Sequence, residues 1–116
     1  MRILIYIVCY NAERHIDSVL KRIPLEYREN PDIMVMVSDD CSSDSTAEIA
    51  AKTCKELGFL NYEVFRTKVN QGYGGNQKIG YNYACNNDFD YVVLLHGDGQ
   101  YAPEELPNFS SLFTRF

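Results

Sequence analysis

"DIMVMVSDDCSSDSTAEIAAKTCKELGFLNYEVFR", residues 32–66, decides the fold. It opens on an apolar run too continuous for a strand with one wet face. Such a run belongs to a strand covered on both sides in a parallel sheet. The run stops at two adjacent acids, Asp39 and Asp40. From about Asp44, Ala47, Ala50, Ala51, Cys54 and Leu57 recur on one helical face, with Gly58 just past the end. Ser45 with Glu48 three residues on predicts a capping box. "LNYEVFR", residues 60–66, reads as a second strand, partly alternating and so nearer an edge.

The same unit recurs on either side. "RILIYIVCY", residues 2–10, is another buried-type strand, and Ala12, Ile16, Val19, Leu20 and Ile23 follow at helical spacing until Pro24 stops them. Downstream, "NQGYGG" at 70–75 predicts a turn and a Tyr-rich helix is expected over 75–86. "DYVVLLH" at 90–96 is the most hydrophobic strand of the set. Pro103 can start a short helix whose length Pro107 limits. Alternation of this kind implies one α/β domain over 1–116, Rossmann-like, with a right-handed, doubly wound and mainly parallel sheet. Ligands of such sheets bind beyond the carboxyl ends of the strands. Nearly all the unusual polar residues fall there, at 10–13, 39–44, 68–75 and 96–100.

The totals exclude several classes. A net charge of -5, with dispersed Lys and Arg, argues against nucleic acid. No apolar run approaches the roughly 18 residues of a membrane span. The apolar N-terminus lacks a cleavage site and runs straight into a helical pattern, so it reads as a strand and not a signal peptide. The four cysteines lie far apart with no zinc-type spacing, and three of them sit in apolar surroundings. Buried free thiols in a reducing, cytoplasmic setting are expected.

Each strand-end motif admits a plain reading beside a chemical one. Asp98 between Gly97 and Gly99 is either an Asp-Gly turn or a carboxylate that backbone and ligand can approach closely. With the Gln100 side-chain oxygen it would suit a hard cation holding a diphosphate. Asp39 and Asp40 could cap the coming helix, yet one acid suffices for that, so the other is free to accept from a nucleobase or ribose. The glycine-rich 70–80 segment matches neither a P-loop nor GxGxxG. Lys78, one turn into the following helix, is either a phosphate contact or a solvated lysine. His96 is a metal ligand, a donor to a diphosphate, or packing, whereas His15 reads as a plain surface residue. No Ser-His-Asp or Cys-His grouping is present, which leaves nucleophilic hydrolysis without support.

Four segments, "VCYNAERHIDSVL", "VSDDCSSDST", "NQGYGGNQKIGYNYA" and "LLHGDGQYAPEEL", together resemble the signature segments of family 2 glycosyltransferases, in order and over essentially the whole chain. The nearest branch is similar to dolichyl- and polyprenyl-phosphate sugar transferases. The resemblance implies the GT-A fold and a nucleotide-diphosphate sugar, UDP- or GDP-linked, as donor. The acceptor would be a lipid phosphate or a saccharide. It implies Tyr10 and Glu13 around base and ribose, Asp39 and Asp40 as the acid pair facing the base, and Gly72, Gly74 and Lys78 near base and diphosphate. Asp98 and Gln100, with His96, would be ligands of Mg²⁺ or Mn²⁺.

This chain departs from the family pattern in several places. His96 stands where the first acid of the D-x-D motif is usual, Val8 where a proline is, and Cys41 where a glycine is. The family continues well beyond this length, with acceptor site and catalytic base in the later part. The chain is therefore expected to be a truncated, donor-binding portion, able to form a homo-oligomer through apolar surface left open. Any membrane association would be peripheral, at the inner face. The alternative is a non-catalytic nucleotide-binding module. A receiver-like signalling domain fits poorly, because "CYNAE" and not an acid pair follows the first strand.

Overall fold

The computed structural model describes residues 1–98 and 113–115. Five strands form one sheet in the order β3-β2-β1-β4-β5. They are β1 Ile3–Cys9, β2 Ile33–Asp39, β3 Tyr62–Arg66, β4 Tyr91–His96 and β5 Phe113–Arg115. The first four are parallel, with Ile3 of β1 level with Ile33 of β2 and Tyr91 of β4. β5 runs antiparallel on the outer side of β4.

Why β1 is apolar throughout is visible in its two faces. Ile5, Ile7 and Cys9 join one core with α1 (Ile16–Lys21) and α3 (Thr46–Leu57). Leu4, Tyr6 and Val8 join a second core that receives α4 (Gly72–Asn86). Helices on both faces make the sheet doubly wound, as expected. The winding direction reverses between β1 and β4, so the crevice at their carboxyl ends is the place for a ligand. Gly80 brings α4 close to the sheet, since a Cβ there would stand 2.6 Å from the Tyr6 ring.

Local differences from the sequence pattern have identifiable causes. α1 begins at Ile16, not Ala12, because the amides of 11–13 are taken by the loop after β2. Asn11 N donates to Ser42 Oγ (2.8 Å), Ala12 N to Thr46 Oγ1 (2.9 Å) and Glu13 N to Asp44 Oδ2 (3.2 Å). Pro24 ends one helix and caps the next, the short α2 at Leu25–Arg28. The capping box at Ser45 does not form. Asp44 Oδ1 accepts the Thr46 amide and hydroxyl instead, and Glu48 turns to Arg66. The inward face of α3 is Thr46, Ala50, Thr53 and Cys54, leaving Ala51 outside. Two cysteines, not three, are buried: Cys9 and Cys54, while Cys85 is exposed. The closing segment contains a short strand, β5, where the sequence shows no strand pattern. The helix expected at Pro103 lies outside the described residues.

Candidate functional site

β1, β2 and β4 stop at the same level and leave a cavity of about 380 Å³ above them. Its floor is Val8 and Cys9 from the end of β1 and His96 and Gly97 from the end of β4. Tyr10 and Ala12 close one side, Asp40 stands behind, and Asn70, Gly72, Tyr73 and Asn76 from the approach to α4 form the wall. Asp98 sits at the mouth, exposed.

The two acids after β2 have separate duties. Asp39 is wholly buried, its Oδ1 accepting the Ser42 amide (3.0 Å) and its Oδ2 the Arg66 Nε (3.1 Å). It therefore fastens β2 to β3 and does not line the cavity. Asp40 does line it. Its Oδ1 accepts Thr67 Oγ1 at 3.0 Å and the Gln71 amide at 2.7 Å. An ionised carboxylate offers about four acceptor positions, so Asp40 keeps capacity for a ligand N–H.

Gly97 is buried, and its place beside Asp98 is a matter of space. A Cβ there would be driven into Cys9 Sγ and would meet Ala12 Cβ at 3.4 Å. The close approach of the β1 and β4 ends, sealed by Gly97 N donating to Val8 O (2.9 Å), is what sets Asp98 over the cavity. Gly72 has φ +72°, a left-handed conformation that glycine adopts without penalty. It starts α4 three residues earlier than the sequence pattern predicts. The "NQGYGG" turn is thus partly the first turn of a helix.

The helix is held by a buried polar cluster that sequence reading missed. Asn76 Oδ1 accepts from Tyr6 Oη (2.7 Å) and Ser38 Oγ (2.5 Å), joining α4 to β1 and β2 below the cavity. Burial pushes the Tyr6 phenol up to about 12, so it stays a donor. Tyr73 was missed as well: its ring stacks on His96 at 5.1 Å, with the hydroxyl 3.1 Å from Nε2. A buried Asn one turn after a glycine cluster, and an aromatic inside it, were the available signals.

Of the residues expected from sequence, Tyr10, Asp40, Gly72, His96 and Asp98 converge on this cavity. Glu13, Asp39, Gly74 and Lys78 do not line it. Lys78 is exposed and two positions from Asn76, a spacing that puts it on the opposite side of α4. Gln100 lies outside the described residues. Burial lowers the His96 pKa, partly countered by Asp98, which favours the neutral ring.

Among the described residues no three His, Cys, Asp or Glu side chains gather into a metal cage. The donor set does fit a cation of the Mg²⁺ type, which is usually held by one or two carboxylates together with substrate phosphates. None of the helices among the described residues is long and apolar enough to cross a membrane.

Comparison with known proteins agrees with this architecture. The sequence profile described as glycosyl transferase family 2 matches residues 4–115. An undecaprenyl-phosphate mannosyltransferase of Micrococcus luteus is 29% identical over 107 residues, covering 92% of this chain and 42% of the relative. The chain thus spans less than half the length of that curated relative. The structure of S. aureus TarS 1-349 in complex with UDP superposes with a TM-score of 0.71 at 25% identity, over 96% of this chain and 31% of TarS 1-349. The mannosyltransferase PcManGT from Pyrobaculum calidifontis, solved with GDP-Man and Mn²⁺, shares the fold with a TM-score of 0.72 at 17% identity, over 90% of this chain and 29% of its own.

Proposed function

The chain belongs to glycosyl transferase family 2 and has the GT-A fold, and from that premise we propose that its cavity binds a nucleotide-diphosphate sugar for transfer to an acceptor. The observation that carries this reading is the placement of Asp40 and Asp98, carboxylates just past the ends of β2 and β4, around the cavity at the reversal point between β1 and β4.

The roles follow from position. Asp40, fixed by Thr67 and Gln71, accepts an N–H of the base. Tyr10, 59% exposed at the rim, offers a ring face for base or ribose to stack on. Gly72 and the first turn of α4 let the donor lie close to backbone. Asp98, with Gln100, holds Mn²⁺ or Mg²⁺, which when bound neutralises the diphosphate as it leaves. With a net charge of -5, the chain holds an anionic donor through local amides, a lysine or such a cation. UDP and GDP donors both have precedent, in the TarS complex and in PcManGT. The Micrococcus relative's name supports a polyprenyl phosphate as acceptor, with a saccharide the other choice. A lipid-phosphate acceptor would bring the domain from the cytoplasm to the inner membrane face as a peripheral protein.

Saturation-transfer NMR with UDP-GlcNAc and GDP-mannose, each with Mg²⁺, tests the reading. Transfer to base and ribose protons of one donor, reduced in Asp40→Asn, is expected. No transfer to either donor would refute it.

A further inference from the structure

Both donors that fix Asp40 arrive on the same oxygen. Oδ1 takes the Thr67 hydroxyl at 3.0 Å and the Gln71 amide at 2.7 Å, which fills its two acceptor positions. Oδ2 has no hydrogen-bond partner among the described residues, although Asp40 is only 5% exposed. The described residues leave no fully enclosed side-chain oxygen unpaired, so Oδ2 opens on the cavity that Asp40 lines.

The neighbouring side-chain amides have their oxygens engaged. Asn76 Oδ1 is filled by the Tyr6 and Ser38 hydroxyls, and Asn70 Oδ1 takes the Gly72 amide at 2.8 Å. The Gly72 contact also fixes which way the Asn70 amide faces, since only its oxygen can accept a backbone N–H. Asn70 Nδ2 then stands beside Asp40, 3.5 Å from its carbonyl oxygen. The wall therefore offers a base one open carboxylate oxygen next to one amide donor.

Bases differ in how many N–H groups they bring to such a place. Uracil carries a single ring N–H between two carbonyl oxygens. Guanine carries a ring N–H and, beside it, an amino group. A carboxylate takes both of those only by using both of its oxygens, and here one oxygen is full. We infer that the site selects uridine over guanosine diphosphate sugars, because Asp40 has one open oxygen and the amino group of guanine would meet none. This rests on the proposed function for the donor site and names which of its two donor classes the site takes.

Inosine diphosphate, which is guanosine diphosphate without the amino group, isolates the atoms in question. Calorimetric titration of the wild-type protein with UDP, GDP and IDP, each with Mg²⁺, is expected to place UDP and IDP above GDP. IDP should bind about tenfold more tightly than GDP, the scale of one hydrogen-bonding group left unpaired on burial. In Asp40→Asn, whose oxygen stays with Thr67 and Gln71, an amide nitrogen replaces the open oxygen and UDP should lose about tenfold in affinity. The decisive comparison, IDP against GDP, needs no variant. GDP binding as tightly as IDP, or more tightly than UDP, overturns the inference and leaves the donor site standing. Binding of none of the three overturns both.

Discussion

Asp40 Oδ1 accepts the Gln71 amide at 2.7 Å and so ties the end of β2 to the start of α4 across the cavity. The same oxygen takes the Thr67 hydroxyl. One carboxylate thereby shapes the wall of the cavity and lines it.

Asp40→Ala should cost about 2–3 kcal/mol of stability, because two donors to a charged and nearly buried acceptor lose their partner. Asp40→Asn, which keeps one acceptor oxygen, should cost less. Urea unfolding at neutral pH measures both, and equal effects would mean that the neutral amide oxygen recovers nothing and the charge carries the whole contribution.

Gly97→Ala should destabilise by about 1–3 kcal/mol, the usual cost of overpacking, because the new methyl meets Cys9 Sγ. Cys9→Ala removes the obstructing sulfur. The double variant should therefore recover part of the loss, a coupling that a double-mutant cycle detects.

Cys41 has φ +59° without being glycine, at the position where the family usually has one. Cys41→Gly should stabilise by about 0.5–1 kcal/mol, the left-handed strain relieved minus the extra entropy of glycine in the unfolded chain. The contact of Cys41 Sγ with Lys68 O, at 3.6 Å, is too weak to offset this. A rise in the urea midpoint with unchanged slope is the expected result.

Stability should fall as pH rises above about 9. Burial pushes the Cys54 thiol up to about 12, the Tyr6 phenol up to about 12, and Cys9 further still, with Asp39 and Asp98 adding to the last. These groups stay protonated in the fold and ionise in the unfolded chain, so the unfolded state binds fewer protons at high pH. The contribution is fully present below their ordinary pKa values and is lost progressively above them. In the same vein, a thiol reagent should label Cys85 and Cys41 quickly in the native protein. Cys9 and Cys54 should react only on unfolding.

Most of the sheet is legible in the sequence because β1, β2 and β4 are covered on both faces and read as unbroken apolar runs. β3 reads as an edge for the opposite reason, its side chains being half exposed. What sequence leaves unread is set by long-range hydrogen bonds. The late start of α1 comes from Ser42, Asp44 and Thr46, some thirty residues away. The early start of α4 depends on a single left-handed glycine, and β5 is too short to show a period. At the site, strand-end position identifies Asp40 and Asp98, but adjacent acids look alike in sequence. Only the Arg66 and Ser42 contacts assign Asp39 to the scaffold.

The central claim, a nucleoside-diphosphate site whose cation rests on Asp98, is tested most directly by calorimetry. UDP and GDP would each be titrated with Mn²⁺, with Mg²⁺ and with EDTA, into wild type and Asp98→Ala. The structure predicts metal-dependent binding of one nucleotide that the variant loses. Equal binding in EDTA, or binding that survives Asp98→Ala, would contradict it.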